Sequence, residues 1–409
     1  DRTMEENKTD VLGTEPIGKL LVKLAAPAIA AQIINLLYNL VDRMYIGHIQ
    51  PTDTVGKLAL TGVGVCLPLI MIISAFAALV AMGGAPRASI FLGKGEKEQA
   101  EKILGNCVTL LVLVSLVLTV VFQLFSRDML LMFGASPNTI EYAVSYMKIY
   151  SLGTLFVQLT LGLNAFISAQ GFAKISMLTV TIGAVCNIVL DLVFVLQCSW
   201  GVAGAAAATV IAQYVSGIGI LVYCLIRCKE LRPERRHVQW DGKILREIGN
   251  LSLLTCVQQS VMNFGILMVQ GLVNRFGPVI MAAFAAAVKI DSFAYMPVQD
   301  FGNAFSTFVA QNYGARQYGR IREGIQKAVR LTLVFCLAVS VFVLFWARPL
   351  MLIFVQPQET ATIAAGVTYL RIEGTCYWGI GCLFLLYGLY RAIKRPAMSL
   401  ILTVISLGT

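Results

Sequence analysis

The chain has 409 residues, of which 57% are hydrophobic and only 13% charged. A soluble domain carries about 25% charged residues, so composition excludes an ordinary water-exposed globular fold. The formal net charge of +10 would fit a nucleic-acid partner if the cations shared one surface. They lie instead between long apolar runs, where they set membrane orientation.

The N-terminal tail, 1–19, is acidic and polar and does not resemble a cleavable signal peptide. Met4 reads as the initiator, which makes Asp1 to Thr3 a remnant ahead of it. Apolar runs then follow at roughly 20–47, 57–85, 100–125, 138–169, 174–198 and 201–227. Each reaches the ~20 residues that carry a helix across a bilayer. A polar, basic linker occupies 228–245 and contains Leu-Arg-Pro-Glu-Arg-Arg-His from Leu231 to His237. Further runs follow at roughly 246–274, 279–312, 322–346 and 359–391, and one opens at Pro396. That last run is too short for a full crossing, so a twelfth span is expected after it. The fold class is an all-α polytopic membrane protein, with an N-terminal lobe over 20–227 and a C-terminal lobe over 246–409.

Lys and Arg give the orientation. One set of loops holds Arg87, Lys94, Lys97 and Lys102, then Lys174, the linker cations from Arg227 to Arg236, then Arg316, Arg320 and Arg322, and finally Arg391, Lys394 and Arg395. The alternate loops hold little beyond Lys57, Arg127, Arg275 and Arg348. The first set is therefore cytoplasmic, with the N-terminus inside, and the expected location is the cytoplasmic (inner) membrane.

The sequence also repeats. Phe91-Leu-Gly-Lys-Gly95, a charged helix start, an apolar span and Ser126-Arg-Asp-Met-Leu-Leu-Met-Phe133 form one series. Asn312-Tyr-Gly-Ala-Arg316, a charged start, a span and Ala347-Arg-Pro-Leu-Met-Leu-Ile-Phe354 form the other. Ser145-Tyr-Met-Lys-Ile149 matches Thr368-Tyr-Leu-Arg-Ile372, and Leu40-Val-Asp-Arg43 matches Leu272-Val-Asn-Arg275. Two homologous halves with an even number of spans share one orientation, which implies a pseudo-twofold axis along the membrane normal and a cleft between the halves.

Ionised carboxylates inside hydrocarbon are costly and mark functional sites by default. Asp42 lies in span one, Asp191 in span five with Asn187 one turn away, and Thr209 in span six. At 1.5 Å per residue all four fall roughly 8–18 Å below the outer surface, so they can converge. Two carboxylates, an amide and a hydroxyl form an oxygen-rich nest suited to Na⁺ or to a shared proton. The structural alternative is that Asp42 pairs with a nearby Arg, Asp191 bonds locally, and Asn187 and Thr209 bond backbone or a neighbouring helix. In the second half, Asp291 and Glu373 either bind a cationic substrate or neutralise Lys289 and Arg371, while Asp300 reads as structural or gating. Tyr38 and Met262 join Asp291 and Glu373 as candidate substrate contacts, since aromatic and Met side chains suit an adaptable apolar cavity. Pro27, Pro68 and Pro297 favour kinks within their spans.

Ten Cys without a CxxC pair and two His support neither a disulfide framework nor a zinc site. Cys224 and Cys228, one turn apart, read as small core residues. No HExxH or nucleophile–base arrangement occurs, so the chain is not read as an enzyme, and no cofactor is expected beyond Na⁺ or H⁺ as coupling ion.

With these residues in place, the chain resembles the multidrug and toxic compound extrusion (MATE) family from about Leu20 onward. The resemblance rests on Leu24-Ala-Ala-Pro27, on Asn35 through Asp42 to Gly47, on Leu92-Gly-Lys-Gly95 and Gln311-Asn-Tyr-Gly314, and on Cys186-Asn-Ile-Val-Leu-Asp191 followed by Gly201-Val-Ala-Gly-Ala-Ala and Thr209. It implies twelve spans in two six-helix lobes and efflux of drugs or organic cations coupled to Na⁺ or H⁺, by a monomer in the bilayer. One branch of the family binds its cation at positions that correspond here to Asp42, Asn187, Asp191 and Thr209. Another uses acids on helices seven and ten, and the nearest equivalents here, around Met262 and Ile380, are apolar. A flippase for lipid-linked precursors is the rival reading, carried by Lys289 and Arg371. It expects a cation-lined cavity, whereas the first half of this chain offers acids.

Overall fold

The computed structural model describes residues 16–47, 53–170, 172–226 and 241–408. Met4, the Lys57 side chain, and residues 228–240 of the basic linker, Cys228 among them, lie outside the described residues; the linker's last residues, 242–245, open α9. The described elements are helices, as a chain without water must satisfy its backbone internally. They run α1 (Ile17–Gly47), α2 (Asp53–Val65), α3 (Leu67–Gly93), α4 (Lys97–Met132), α5 (Ile140–Tyr150), α6 (Thr154–Ala169), α7 (Ala173–Asp191) and α8 (Gly201–Ile226). Then come α9 (Gly242–Val273), α10 (Pro278–Gly314), α11 (Tyr318–Phe354), α12 (Thr360–Gly374), α13 (Tyr377–Ala392) and α14 (Pro396–Gly408). Among the described residues nine helical stretches are long and apolar enough to cross a membrane, and the bent α12–α13 pair makes a tenth.

These helices expose large apolar side chains that water would not tolerate. On α4, Leu116, Val120 and Leu124 are exposed, while Leu111, Leu118 and Phe122 are buried on the other face. A contiguous apolar surface of this kind belongs in lipid. Hydroxyls on the spans bond back to the carbonyl one turn earlier, as Thr119 does to Ser115, Thr181 to Met177 and Thr403 to Ser399. Such bonds make small polar residues compatible with hydrocarbon.

Three expected spans are interrupted. Span two breaks at Cys66, between α2 and α3, where Pro68 opens the new helix. Proline lacks the N–H that continuation would use, and it is favoured in a first turn. Cys66 Sγ contacts the Ala143 carbonyl at 3.3 Å. Span four tightens to a 3₁₀ turn at Ser151–Gly153 between α5 and α6, and span ten bends by 52° between α12 and α13. Those two breaks occupy matching positions of the repeat. Each is stitched by a polar side chain of the preceding span: Gln123 Nε2 donates to the Lys148 carbonyl at 2.6 Å, and Ser340 Oγ to the Gly374 carbonyl at 2.6 Å. Neither break contains proline, so the sequence did not announce it. Pro27 and Pro297, by contrast, sit inside continuous helices.

The repeat also appears in the packing. α3 packs on α6 and α4 on α5 and α6 in the first half, and α10 packs on α13 and α11 on α12 and α13 in the second. After α3, Glu96 N–H reaches back to the Phe91 carbonyl at 2.9 Å; after α10, Gln317 N–H reaches Asn312 at 2.9 Å. Both closures require a left-handed residue, Gly95 at φ 79° and Arg316 at φ 58°.

Helix contacts divide the chain into two compact units, Ile29–Gly249 and Asn250–Thr409, the second taking with it the described residues up to Ala28. The first turns of α9 thus belong to the first unit. Arg87 and Glu247 form an ion pair there, Asp241 N–H donates to Asn106 Oδ1 at 2.9 Å, and Ile248 is buried with Ala88, Ile103 and Leu163. The second unit has its own core, built around Ala287, Val298, Val343, Met351 and Leu370. Arg391, counted among the loop cations above, is instead buried in the last turn of α13. Its Nη1 donates to Asn303 Oδ1 at 2.9 Å.

Candidate cation site

Within the first unit the four residues singled out by depth come together. α1 supplies Asp42, with Tyr38 one turn earlier on the same face. α7 ends on Asp191, with Asn187 one turn before it, and both are buried, at 0% and 2% exposure. Thr209 on α8 donates to Asn187 Oδ1 at 3.4 Å and to the Ala205 carbonyl at 3.0 Å. The Asp191 carboxyl meets the Asp42 carboxyl directly.

Two carboxylates are both acceptors, so their contact is favourable only with a proton or cation between them. Asp191 sharpens the point: among the described residues neither of its buried oxygens has a hydrogen-bond donor. A buried carboxylate in that condition costs several kcal/mol. A hard cation or a shared proton would relieve the deficit, and the oxygens of Asp42, Asp191, Asn187 and Thr209 form the donor set such a cation takes.

Beside the carboxylates lies a cavity of about 240 Å³. Its polar wall is Tyr38, Asp42, Tyr146, Tyr150, Thr209 and Gln213, and Val63, Leu67 and Ile70 contribute apolar surface. Tyr146 stands beside Thr209, and Gln213 Nε2 donates to the Tyr150 hydroxyl at 3.3 Å. Sequence reasoning missed Tyr146, Tyr150 and Gln213. The signal was present, because Tyr146 lies in the repeat-matched segment, Tyr150 follows it by one turn, and Gln213 follows Thr209 by one turn.

The second unit holds a different acid cluster. Asp291 on α10 is buried at 7% exposure. It accepts a hydrogen bond from the Tyr377 hydroxyl, and Tyr369 and Glu373 stand nearby. Among the described residues Lys289 forms no ion pair with Asp291; its Nζ lies 5.8 Å from the centre of the Phe354 ring. Two positions apart on a helix, Lys289 and Asp291 cannot face each other. Arg371 is exposed and forms no ion pair with Glu373 among the described residues. Met262 lies half-buried on α9, and Asp300 half-buried on α10.

Known proteins share this architecture and sequence pattern. The sequence profile of the MatE family matches residues 27–193 and 254–409. Among curated proteins, the chain is 24% identical over 83% of its length to the probable multidrug resistance protein YoeA of Bacillus subtilis, covering 73% of that protein. It is 23% identical to the probable multidrug resistance protein NorM of Thermotoga maritima, over 96% of this chain and 84% of that one. It is also 23% identical to a protein of Shewanella oneidensis named as an FAD transporter, over 95% of this chain and 85% of that one. Among solved structures, an outward-facing multidrug resistance MATE transporter of the MOP superfamily superimposes with TM-score 0.87 at 22% identity, covering 97% of this chain and 87% of that one. A MOP superfamily transporter from Pyrococcus furiosus, described by the reversed polarity of its binding pocket, superimposes with TM-score 0.88 at 22% identity, again over 97% and 87%. A profile spanning both halves of a helical membrane protein, with the fold to match, places the chain in the MatE family: it is a membrane transporter, not an enzyme.

Proposed function

We propose that this chain is a multidrug efflux antiporter of the cytoplasmic membrane, with its N-terminus inside, that expels bulky organic cations by alternating access against entry of Na⁺ or H⁺. The observation that carries the reading is the Asp42–Asp191 contact, in which both Asp191 oxygens are buried without a donor. Such a pair demands positive charge, and a site that needs a cation to be comfortable responds to whether one is bound. Asn187 and Thr209, which bond each other, complete the oxygen set, and Tyr146 stands beside Thr209.

The multidrug names of the Bacillus and Thermotoga relatives support the cargo class. The Shewanella relative, named for FAD, makes the substrate's charge a question for the residues, and acids at Asp42, Asp291 and Glu373 favour cations. Tyr38 is the proposed substrate contact in the first unit, and Glu373, Asp291 and Met262 those in the second. A flippase for anionic lipid-linked precursors would need cations at these places.

Ethidium efflux from everted vesicles tests the assignment. Asp42→Asn should remove cation-driven export while the protein still folds; full export by that variant would sink it. Repeating the parent assay at fixed pH with and without Na⁺ distinguishes Na⁺ from H⁺ coupling.

A further inference from the structure

We propose that the widened turn Leu192–Gln197, seated on Gly204, is the element that positions the cation site. This inference rests on the reading of Asp42 and Asp191 given above.

Directly after Asp191 the helix winds with π geometry over Leu192–Gln197. Cys198 N–H bonds to the Val193 carbonyl, five residues back, at 2.8 Å, and Trp200 N–H to Phe194 at 3.0 Å. The chain then reverses through Ser199 at φ 54° and Gly201 at φ 65°. The Phe194 and Trp200 rings stack with centroids 4.7 Å apart, and Val195 is buried at 4% exposure. Nothing in Leu-Val-Phe-Val-Leu-Gln calls for a π turn, since it contains neither proline nor glycine. The winding is therefore imposed by what the turn packs against. π turns of this kind occur frequently at functional sites.

What it packs against is Gly204. A Cβ there would stand 2.9 Å from the Phe194 carbonyl oxygen and 3.0 Å from Trp200 Cβ, so only glycine lets the two strands of the hairpin approach. This contact sets the register of α7 against α8. Counting five residues along α8 from Gly204 reaches Thr209, and seven back along α7 from Phe194 reaches Asn187. At 1.5 Å per residue those are ~7.5 and ~10 Å, similar depths, and the two side chains meet at 3.4 Å. Removing the extra residue of the π turn would rotate the hairpin by about 100° relative to Asp191. Thr209 would then lose its place against Asn187. Gly204 and the π turn touch no cation; they act through Thr209, Asn187 and Asp191.

Cation titrations of ethidium efflux in everted vesicles test this. Gly204→Ala should raise the Na⁺ or H⁺ concentration for half-maximal efflux by about tenfold, equivalent to ~1.4 kcal/mol of binding, with maximal efflux near that of the parent. Deleting Val193 should act in the same direction and further. Gly219→Ala is the control: it lies on the same helix with nothing within 4 Å of a new Cβ, and should titrate as the parent does. A Gly204→Ala protein with the parent's titration overturns the inference. Should that variant fail to fold, Val195→Cys supplies the reading, because Val195 is buried at 4% exposure within the turn and a thiol there is reached only by local opening. With Cys198→Ser, Cys228→Ser and Cys376→Ser alongside, labelling of that thiol by a maleimide should slow by about threefold when the cation saturates, as local opening is suppressed. An unchanged rate alongside cation-dependent efflux overturns the inference equally. The two readings fail separately: if Asp42→Asn retains cation-driven export the site itself is wrong, whereas loss in Asp42→Asn with a parental Gly204→Ala refutes the positioning role alone.

Discussion

Each unit carries a pair of acids against tyrosines, and the internal repeat puts the tyrosine-bearing helices α5 and α12, but not the acids themselves, in matching places. Tyr146 and Tyr150 on α5 correspond to Tyr369 and Glu373 on α12, and the cavity residue Ile70 corresponds to Asp291. The two clusters nevertheless differ in kind. Asp291 accepts from the Tyr377 hydroxyl and has Tyr369 beside it, so its desolvation is partly compensated. Asp191 has no donor at either oxygen and a second carboxyl beside it. Duplication supplied one scaffold twice. One substitution pattern produced a satisfied acid, and the other left an acid that needs a cation. On the proposed function, stability and coupling fall to different halves.

That contrast can be broken most severely at Asp191. Asp191→Asn should lower cation affinity by about 100-fold, as loss of a ligand-shell group does, while thermal stability holds or rises because a buried charge without a donor is removed. Cation-dependent efflux and a melting curve in detergent measure both, and a marked fall in melting temperature would mean that Asp191 is structural like Asp291. The converse test lies in the second unit. Tyr377→Phe leaves Asp291 short of a donor and should cost about 1–3 kcal/mol of stability, while the cation dependence of efflux stays that of the parent. A shifted cation titration in this variant would erase the distinction between the two clusters.

Smaller effects sharpen it. Tyr146→Phe removes the hydroxyl beside Thr209 without touching a carboxylate, and should weaken the cation response by about fivefold, a polar contact's worth of ~1 kcal/mol. An unaltered half-saturation concentration would show that Thr209 needs no support from α5. The smallest change is expected far from both clusters. Arg316→Gly relieves a left-handed backbone at the position matched by Gly95, and should stabilise the protein by about 1 kcal/mol with transport unaffected. Lowered stability would assign the Arg316 side chain a contact that outweighs its strain.

Much was legible in the amino-acid order. Composition required a helical membrane protein, because 57% hydrophobic residues in runs of span length have no other stable solution. The duplication could be read from Phe91–Gly95 against Asn312–Arg316 and from Tyr146 against Tyr369. Rise per residue placed Asp42, Asn187, Asp191 and Thr209 at a common depth before any contact was visible. Depth along a helix is fixed by counting; rotation about its axis and the choice of neighbour are not. Only the folded arrangement could decide that Asp42 meets Asp191, that Asp291 turns to Tyr377 instead of Lys289, that Arg391 is buried, and that spans four and ten break at proline-free sites. Those outcomes depend on which helix faces pack, and packing is settled by shape across the whole unit.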